Sequence, residues 1–340
     1  LRAVAIRLSS PFSDLSLRMT FMELQRVASL FQSCIDEIGK VVIGQLELVE
    51  GTLVALFSEG SVLIEGVPGL GKTLLVNTLS KVVSCSFKRV QFTPDLMPSD
   101  LTGHSVYNLK DQEFHFTPGP VFTNLLLADE INRSPPKTQS ALLEVMEEKQ
   151  VTVDGISRPL PRPFLVLATQ NPLEHEGTYP LPEAQIDRFM FKLLIDYPSV
   201  EDERRIVGHY AAGRNPHRLA GFDIHPVLSA DDVQAIQRAT AQVIVEDKVT
   251  GYIVDIIART RDWHAVSVGA SPRGGVNMLI AARTLAACRG RDFVTPDDVK
   301  EIAPWVLRHR LLLRPDIEIE GTGPDDVIRD ILDNVEVPRS

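Results

Sequence analysis

Gly66-Val67-Pro68-Gly69-Leu70-Gly71-Lys72-Thr73-Leu74 carries the pattern GxxxxGK[ST] directly behind the apolar run Val62-Leu63-Ile64. A helical pattern follows in Leu74, Leu75, Thr78, Leu79 and Val82. Strand, glycine-rich turn and helix are the context in which this pattern cradles phosphate. The glycines let backbone N–H groups turn inward around phosphate oxygens, and the helix N-terminus adds its dipole. Lys72 offers a point charge to the β- and γ-phosphates, and the Thr73 hydroxyl is suited to ligate Mg²⁺. Residues Gly66 to Leu74 are therefore the candidate nucleotide-binding set.

Asp129 lies 57 residues beyond Lys72 (129 − 72), at the end of Leu125-Leu-Leu-Ala-Asp129-Glu130. An apolar strand ending in two acids places carboxylates at the carboxyl end of a sheet, where open α/β folds bind ligands. Asp129 is suited to hold Mg²⁺ through water, and Glu130 to orient and deprotonate an attacking water. The plainer alternative is a pair of acids capping the next helix.

Outward from these two motifs, short apolar runs alternate with helical segments at Val62–Ile64, Leu125–Ala128, Phe164–Ala168 and Phe191–Ile195. Runs that are apolar on both faces and bounded by turn residues predict buried parallel strands. Before them, Leu24, Val27, Leu30, Phe31, Ile35 and Ile38 predict a helix. Beyond Pro198 helical signals dominate, with Ser229-Ala-Asp-Asp232, Ser271-Pro272 and Thr295-Pro-Asp-Asp298 as helix starts. The expected organisation is a disordered extension over 1–20, an α/β domain over 21–198, a helical domain over 199–316 and a tail over 317–340. The tail carries Gly321, Gly323 and Pro324 and is expected to be loosely attached, with one short helix at Asp325–Asn334. Two hairpins are expected. One pairs His104–Leu109 with Glu113–Thr117; the other pairs Gln150–Val153 with Ile156–Leu160 across Asp154-Gly155.

Further stretches make a resemblance specific. They are Gln91-Phe-Thr-Pro-Asp-Leu-Met-Pro-Ser-Asp-Leu-Thr-Gly103, Thr117-Pro-Gly-Pro-Val-Phe122, Asp129-Glu-Ile-Asn-Arg-Ser-Pro-Pro-Lys-Thr-Gln-Ser-Ala-Leu-Leu-Glu144, Ala168-Thr-Gln-Asn-Pro172, Leu181-Pro-Glu-Ala-Gln-Ile-Asp-Arg-Phe189 and Ser271-Pro-Arg273. In this order, over about residues 40–315, the chain resembles the AAA+ ATPases, and among them the MoxR family. The resemblance implies a P-loop AAA+ core with a parallel sheet, two β-hairpin insertions and a C-terminal helical lid. It implies ATP and Mg²⁺ as cofactors, with Walker A at Gly66–Thr73 and Walker B at Asp129-Glu130.

The resemblance also assigns roles. Asn171 matches the polar sensor-1 residue, able to position the lytic water; its other reading is a turn residue before Pro172. Arg188 matches the arginine finger, expected at a subunit edge; its other reading is a solvated arginine beside Asp187. Arg273 matches sensor 2 and counts with the nucleotide-binding residues. A cation in a helix's first turn opposes the dipole, a conflict that a phosphate neighbour would remove. Gly274-Gly275 departs from the usual pattern. Val41-Val-Ile-Gly44-Gln45 resembles the segment that borders adenine, or is a plain turn.

Family likeness further implies a homo-oligomer, expected to be a hexameric ring, and a chaperone-like cytoplasmic ATPase. Its role would be to remodel or mature a client protein or assist metal or cofactor insertion. A separate protein with a von Willebrand factor type A domain is the expected partner. The alternatives are a chelatase-type ATPase subunit and a nucleic-acid motor.

Composition narrows these classes. With 35 Lys+Arg against 45 Asp+Glu the formal charge is −10. Neither hairpin is a basic stripe with interleaved aromatics, so no nucleic-acid partner is expected. Arg308-His-Arg310 with Arg314 is a modest basic cluster, expected to be a solvated helix face or a subunit contact. Three cysteines without CxxC spacing fit reduced thiols, and the eight histidines form no zinc pattern. No apolar run approaches the roughly 20 residues of a transmembrane helix.

Overall fold

A computed structural model describes residues 21–67, 69–171, 177–215 and 219–338. The extension expected over 1–20 lies outside the described residues, as does Pro68 of the phosphate loop.

Two helices, α1 (Phe21–Gly39) and α2 (Leu46–Phe57), lead into β1 (Val62–Glu65) and α3 (Lys72–Val82). Next come β2 (Phe87–Gln91), α4 (Pro98–Thr102), β3 (Gly103–Asn108), β4 (Glu113–Pro118) and β5 (Leu125–Asp129). They are followed by α5 (Pro136–Glu148), β6 (Gln150–Val153), β7 (Ile156–Pro159), β8 (Leu165–Gln170), α6 (Glu183–Ile186) and β9 (Phe191–Leu194). The remainder is α7 (Val200–Ala211), α8 (Ala230–Thr240), α9 (Asp247–Asp262), β10 (Val266–Val268), α10 (Pro272–Cys288), α11 (Pro296–Leu307), β11 (Leu312–Leu313), α12 (Pro315–Ile319) and α13 (Pro324–Asn334).

Five strands form a parallel sheet in the order β2-β5-β8-β1-β9. Alternation along each strand sends side chains to opposite faces. Val62, Ile64, Leu125, Leu127, Leu165 and Leu167 thus join one apolar cluster with α1, α2 and α3. Leu63, Leu126, Ala128, Val166 and Ala168 join another with α5. Both faces of β1, β5 and β8 are covered, which is why these three read as continuous apolar runs, while the edge strand β9 alternates buried Phe191 and Leu193 with Lys192 and the exposed Leu194. The fifth, β2, is the other edge strand. Its Lys88 and Arg89 are exposed, so it carries no apolar run to be read.

The sheet order sets up the site. Parallel register puts Gln91 opposite Asp129, and Ala128 opposite Ala168. The carboxyl ends of β2, β5 and β8 are therefore neighbours, and the loop after β1 opens on the same edge.

Both expected hairpins are present, as β3–β4 and β6–β7. They touch each other. Ser105 donates a hydrogen bond to Asp154, and the Arg158 guanidinium lies 4.0 Å from the Phe116 ring centroid.

In the helical part, Ser229 and Thr295 cap α8 and α11 by accepting from Asp232 N–H and Asp298 N–H. Two expectations need correction. The tail is not loose: Val327, Ile328, Ile331 and Leu332 of α13 are buried in the same apolar cluster as α9 and α11. Nor are Arg308 and Arg310 solvated. Arg308 meets Asp325 at 3.1 and 3.0 Å, fixing the start of α13, and the Arg310 side chain is 1% exposed.

Candidate functional site

The phosphate loop leaves β1 and ends on Gly71, which takes a left-handed φ of +85° as it hands over to α3. A residue with a Cβ is strained in that conformation; glycine is not. Lys72 opens α3, and its Nζ donates to the Gly66 carbonyl at 2.6 Å, closing the loop on itself. Burial holds the Lys72 ammonium below its ordinary pKa, while Asp129, Glu130 and Glu65 act in the opposite sense. The cation is thus poorly solvated and faces carboxylates across the loop.

Asp129 and Glu130 sit where β5 ends. Asp129 Oδ1 accepts from the Thr169 hydroxyl at 2.6 Å. Its Oδ2 accepts from Arg89 Nε at 3.1 Å and Nη2 at 2.6 Å. Glu130 takes a left-handed φ of +58°, an uncommon state for a residue with a side chain. Its N–H donates to Thr169 Oγ1 at 2.9 Å, and its Oε2 is held by Gln91 Nε2 at 2.6 Å and Arg133 Nε at 3.0 Å. Residues from the ends of β2 and β8, with Arg133 in the turn after β5, thereby fix both acids. Asn171 follows β8 and is buried beside them.

These groups line one cavity of about 780 Å³, which includes Lys72, Thr73, Leu74, Asp129, Glu130 and Asn171. Val41, Ile43 and Gln45 form another part of the wall, and Tyr197 and Tyr210 a third. Tyr210 lies on α7, the only helix after residue 199 that reaches this cavity among the described residues. Thr73 and Asp129 offer oxygen donors, the chemistry that a hard cation such as Mg²⁺ prefers.

Arg188 and Arg273 are not among the cavity's lining residues. Instead they meet one another's partner: Glu147 near the end of α5 takes Arg188 Nη1 at 3.0 Å and Arg273 Nη2 at 2.7 Å. Arg273, matched to sensor 2 and counted with the nucleotide-binding residues, stands at the start of α10 beside Arg188 rather than in the cavity wall. Ser271 sits at the N-cap position, but its hydroxyl donates to Asp187 Oδ2 at 3.1 Å. Gly274 accounts for part of the departure in the glycine pair. A Cβ there would come within 3.2 Å of Arg310 Cδ, so glycine lets the start of α10 approach Arg310 closely.

Arg89, Gln91, Thr169 and Glu147 were not singled out by sequence reasoning. For Arg89 and Gln91 a signal existed in their alternate positions, Gln91 opening a quoted stretch and Arg89 standing two residues before it. Glu147 offered none, since its partners are 41 and 126 residues away (188 − 147 and 273 − 147).

Comparison with known proteins gives a consistent result. Residues 61–191 match the family model for the ATPase family associated with various cellular activities (AAA), and residues 258–331 match the AAA lid domain. The chain is 46% identical to Chaperone MoxR1 of Mycobacterium tuberculosis, over 91% of this chain and 82% of that protein. It is 31% identical to Protein MoxR of Methylorubrum extorquens, over 89% of this chain and 93% of that one. A crystal structure of a candidate ATPase from Cytophaga hutchinsonii superposes with a TM-score of 0.84. That protein is 41% identical, and the match covers 94% of this chain and 98% of the other.

Proposed function

Because the chain belongs to the MoxR family of AAA+ ATPases, we propose that it binds ATP in the cavity between the phosphate loop and α7. It hydrolyses that ATP to drive chaperone-like remodelling of a client protein. The observation that supports this most directly is the convergence of Lys72, Thr73, Asp129, Glu130 and Asn171 on one cavity of about 780 Å³. In this reading the backbone of Gly66–Leu74 and the Lys72 ammonium bind the phosphates. Thr73 and Asp129 hold Mg²⁺, which neutralises phosphate charge when bound. Glu130 takes the proton of the attacking water, and Asn171 orients that water.

Arg188 and Arg273 act on a neighbouring subunit's nucleotide, in a ring expected to be hexameric. Their exclusion from their own cavity, together with their shared position at Glu147, supports that placement. A finger supplied in trans is worth about 10³–10⁵ in rate in the best-known GTPase cases. Assistance in metal or cofactor insertion, a separate partner with a von Willebrand factor type A domain and a cytoplasmic setting belong to the same proposal. Among the described residues no helix is long and apolar enough to cross a membrane.

The test uses two substitutions. Lys72→Ala should lose most ATP affinity, because the compensating charge is gone. Glu130→Gln should bind ATP normally and fail to hydrolyse it, because an amide is no base. Captured with ATP, that variant should also retain client and partner. Wild-type turnover by Glu130→Gln would sink the assignment of Glu130.

A further inference from the structure

Glu147 is shared by two arginines that come from distant parts of the chain. Its Oε2 lies 3.0 Å from Arg188 Nη1 and its Oε1 2.7 Å from Arg273 Nη2. Two guanidinium groups share this one carboxylate, and Glu144 and Glu148 line the same pocket as Glu147 and Arg188. Each guanidinium presents five N–H donors in a planar fork. Among the described residues each guanidinium meets Glu147 through one nitrogen, which leaves other N–H donors for a second anion.

The chain on either side of the pair is clamped independently. Asp187, adjacent to Arg188, accepts from Arg310 Nε at 2.7 Å and from the Ser271 hydroxyl at 3.1 Å. Arg310 Nη2 also donates to the Asp187 carbonyl at 2.8 Å and the Phe189 carbonyl at 2.6 Å. The backbone before Arg273 and that of Arg188 are therefore tied to one buried guanidinium. What this clamp leaves undetermined is the direction of two long side chains of like charge, which repel each other. Glu147 supplies the missing constraint.

We propose that Glu147 is a positioning residue for the arginine pair, converging Arg188 and Arg273 on one point so that a neighbouring subunit's nucleotide phosphate meets both. The inference rests on the trans reading of Arg188 given above. It makes Glu147 part of the arginine-donating side of the subunit interface, not of its own nucleotide cavity.

The experiment is Glu147→Gln in the full chain. The amide keeps the size of the side chain but loses the charge that draws two guanidiniums together. ATPase rate per subunit at saturating ATP should fall on the order of 10- to 100-fold, the scale of a misplaced catalytic group. KM for ATP and binding of a non-hydrolysable ATP analogue should be nearly unchanged, which also reports that the variant is folded. Mixing then sorts the defect by side. With Glu130→Gln, activity should partly return, because an intact Glu130 in the Glu147→Gln subunit can meet intact arginines from its neighbour. With Arg188→Ala, activity should not return, because both variants are defective on the same side. A wild-type rate, no recovery with Glu130→Gln in demonstrated mixed rings, or recovery with Arg188→Ala would each overturn the role of Glu147. The mixture of Arg188→Ala with Glu130→Gln is the control. If that pair shows no recovery, the trans reading itself fails; if it recovers and Glu147→Gln does not, only the role of Glu147 fails.

Discussion

Arg89 grips the Asp129 carboxylate with two donors, Nε at 3.1 Å and Nη2 at 2.6 Å from the same Oδ2. Alternation along β2 puts Arg89 and Gln91 on one face, and register puts Gln91 opposite Asp129. The guanidinium therefore lies on the carboxylate proposed to hold Mg²⁺ through water, and a cation held there would compete with the arginine for that carboxylate. Arg89 is half exposed, so the pair is worth about 0.2–1 kcal/mol. Arg89→Ala should lower the half-saturating Mg²⁺ concentration by about 1.4- to 5-fold. Mn²⁺ binding in the presence of a non-hydrolysable ATP analogue, followed by electron paramagnetic resonance, reads this without turnover. An unchanged or raised half-saturation would show that Arg89 does not oppose the metal.

His309 makes stability depend on pH. It is buried, and its Nε2 lies 3.1 Å from the Phe189 carbonyl. Burial comes first in pushing its pKa well below the ordinary 6.5. Arg310, Lys192 and Arg308 add to this, and the Phe189 contact acts the other way. A depressed value means that the unfolded chain takes up a proton near pH 6.5 while the folded chain does not. Stability is then full above about pH 6.5 and is lost as pH falls toward the folded value, at up to about 1.4 kcal/mol per pH unit. Thermal unfolding between pH 7.5 and 5.5 should show this slope in the native chain and a shallower one in His309→Gln. Parallel curves would exclude His309 as the source.

The burial of α13 has an energetic consequence. Ile331 is 1% exposed within the cluster shared with α9 and α11. Ile331→Ala should cost about 2–5 kcal/mol, transfer and cavity together. Arg329→Ala, on the solvent side of the same helix, should cost less than about 0.5 kcal/mol. Urea midpoints of the two variants decide it; equal midpoints would return the tail to the loose attachment expected from its glycines.

These residues show what the sequence could and could not tell. The phosphate loop was legible because its function needs consecutive residues. Strands β1, β5 and β8 were legible because both their faces are covered, and β9 because Phe191, Leu193 and Ile195 are buried on one face. β2 was not, since an edge strand with Lys88 and Arg89 outward has no apolar run. Gly321, Gly323 and Pro324 suggested a loose tail, yet Val327, Ile328 and Ile331 already carried the spacing of one apolar helix face. The position of Arg273 depends on Arg310 and Ser271 meeting Asp187, contacts across 123 and 84 residues. No local pattern encodes such docking.

The tip of the first hairpin separates a protein client from a nucleic-acid track. Leu109 is 83% and Phe114 73% exposed, and Phe114 packs tilted against Tyr107 at 5.1 Å between ring centroids. Aromatic faces alone suit either partner, since bases stack on them as readily as apolar peptide does. Charge discriminates: Lys110 stands against Asp111 and Glu113, and tracking a phosphate backbone needs a basic surface. If the client is a protein, a chemically unfolded model protein should raise ATPase activity above its basal rate. Leu109→Ser with Phe114→Ser should remove most of that increment and leave the basal rate intact, because neither residue lines the nucleotide cavity. Single-stranded DNA should neither stimulate hydrolysis at physiological salt nor bind with a steep salt slope. A sub-micromolar, salt-sensitive affinity for DNA that the double substitution abolishes would assign the exposed rings to base stacking and the chain to the motor class.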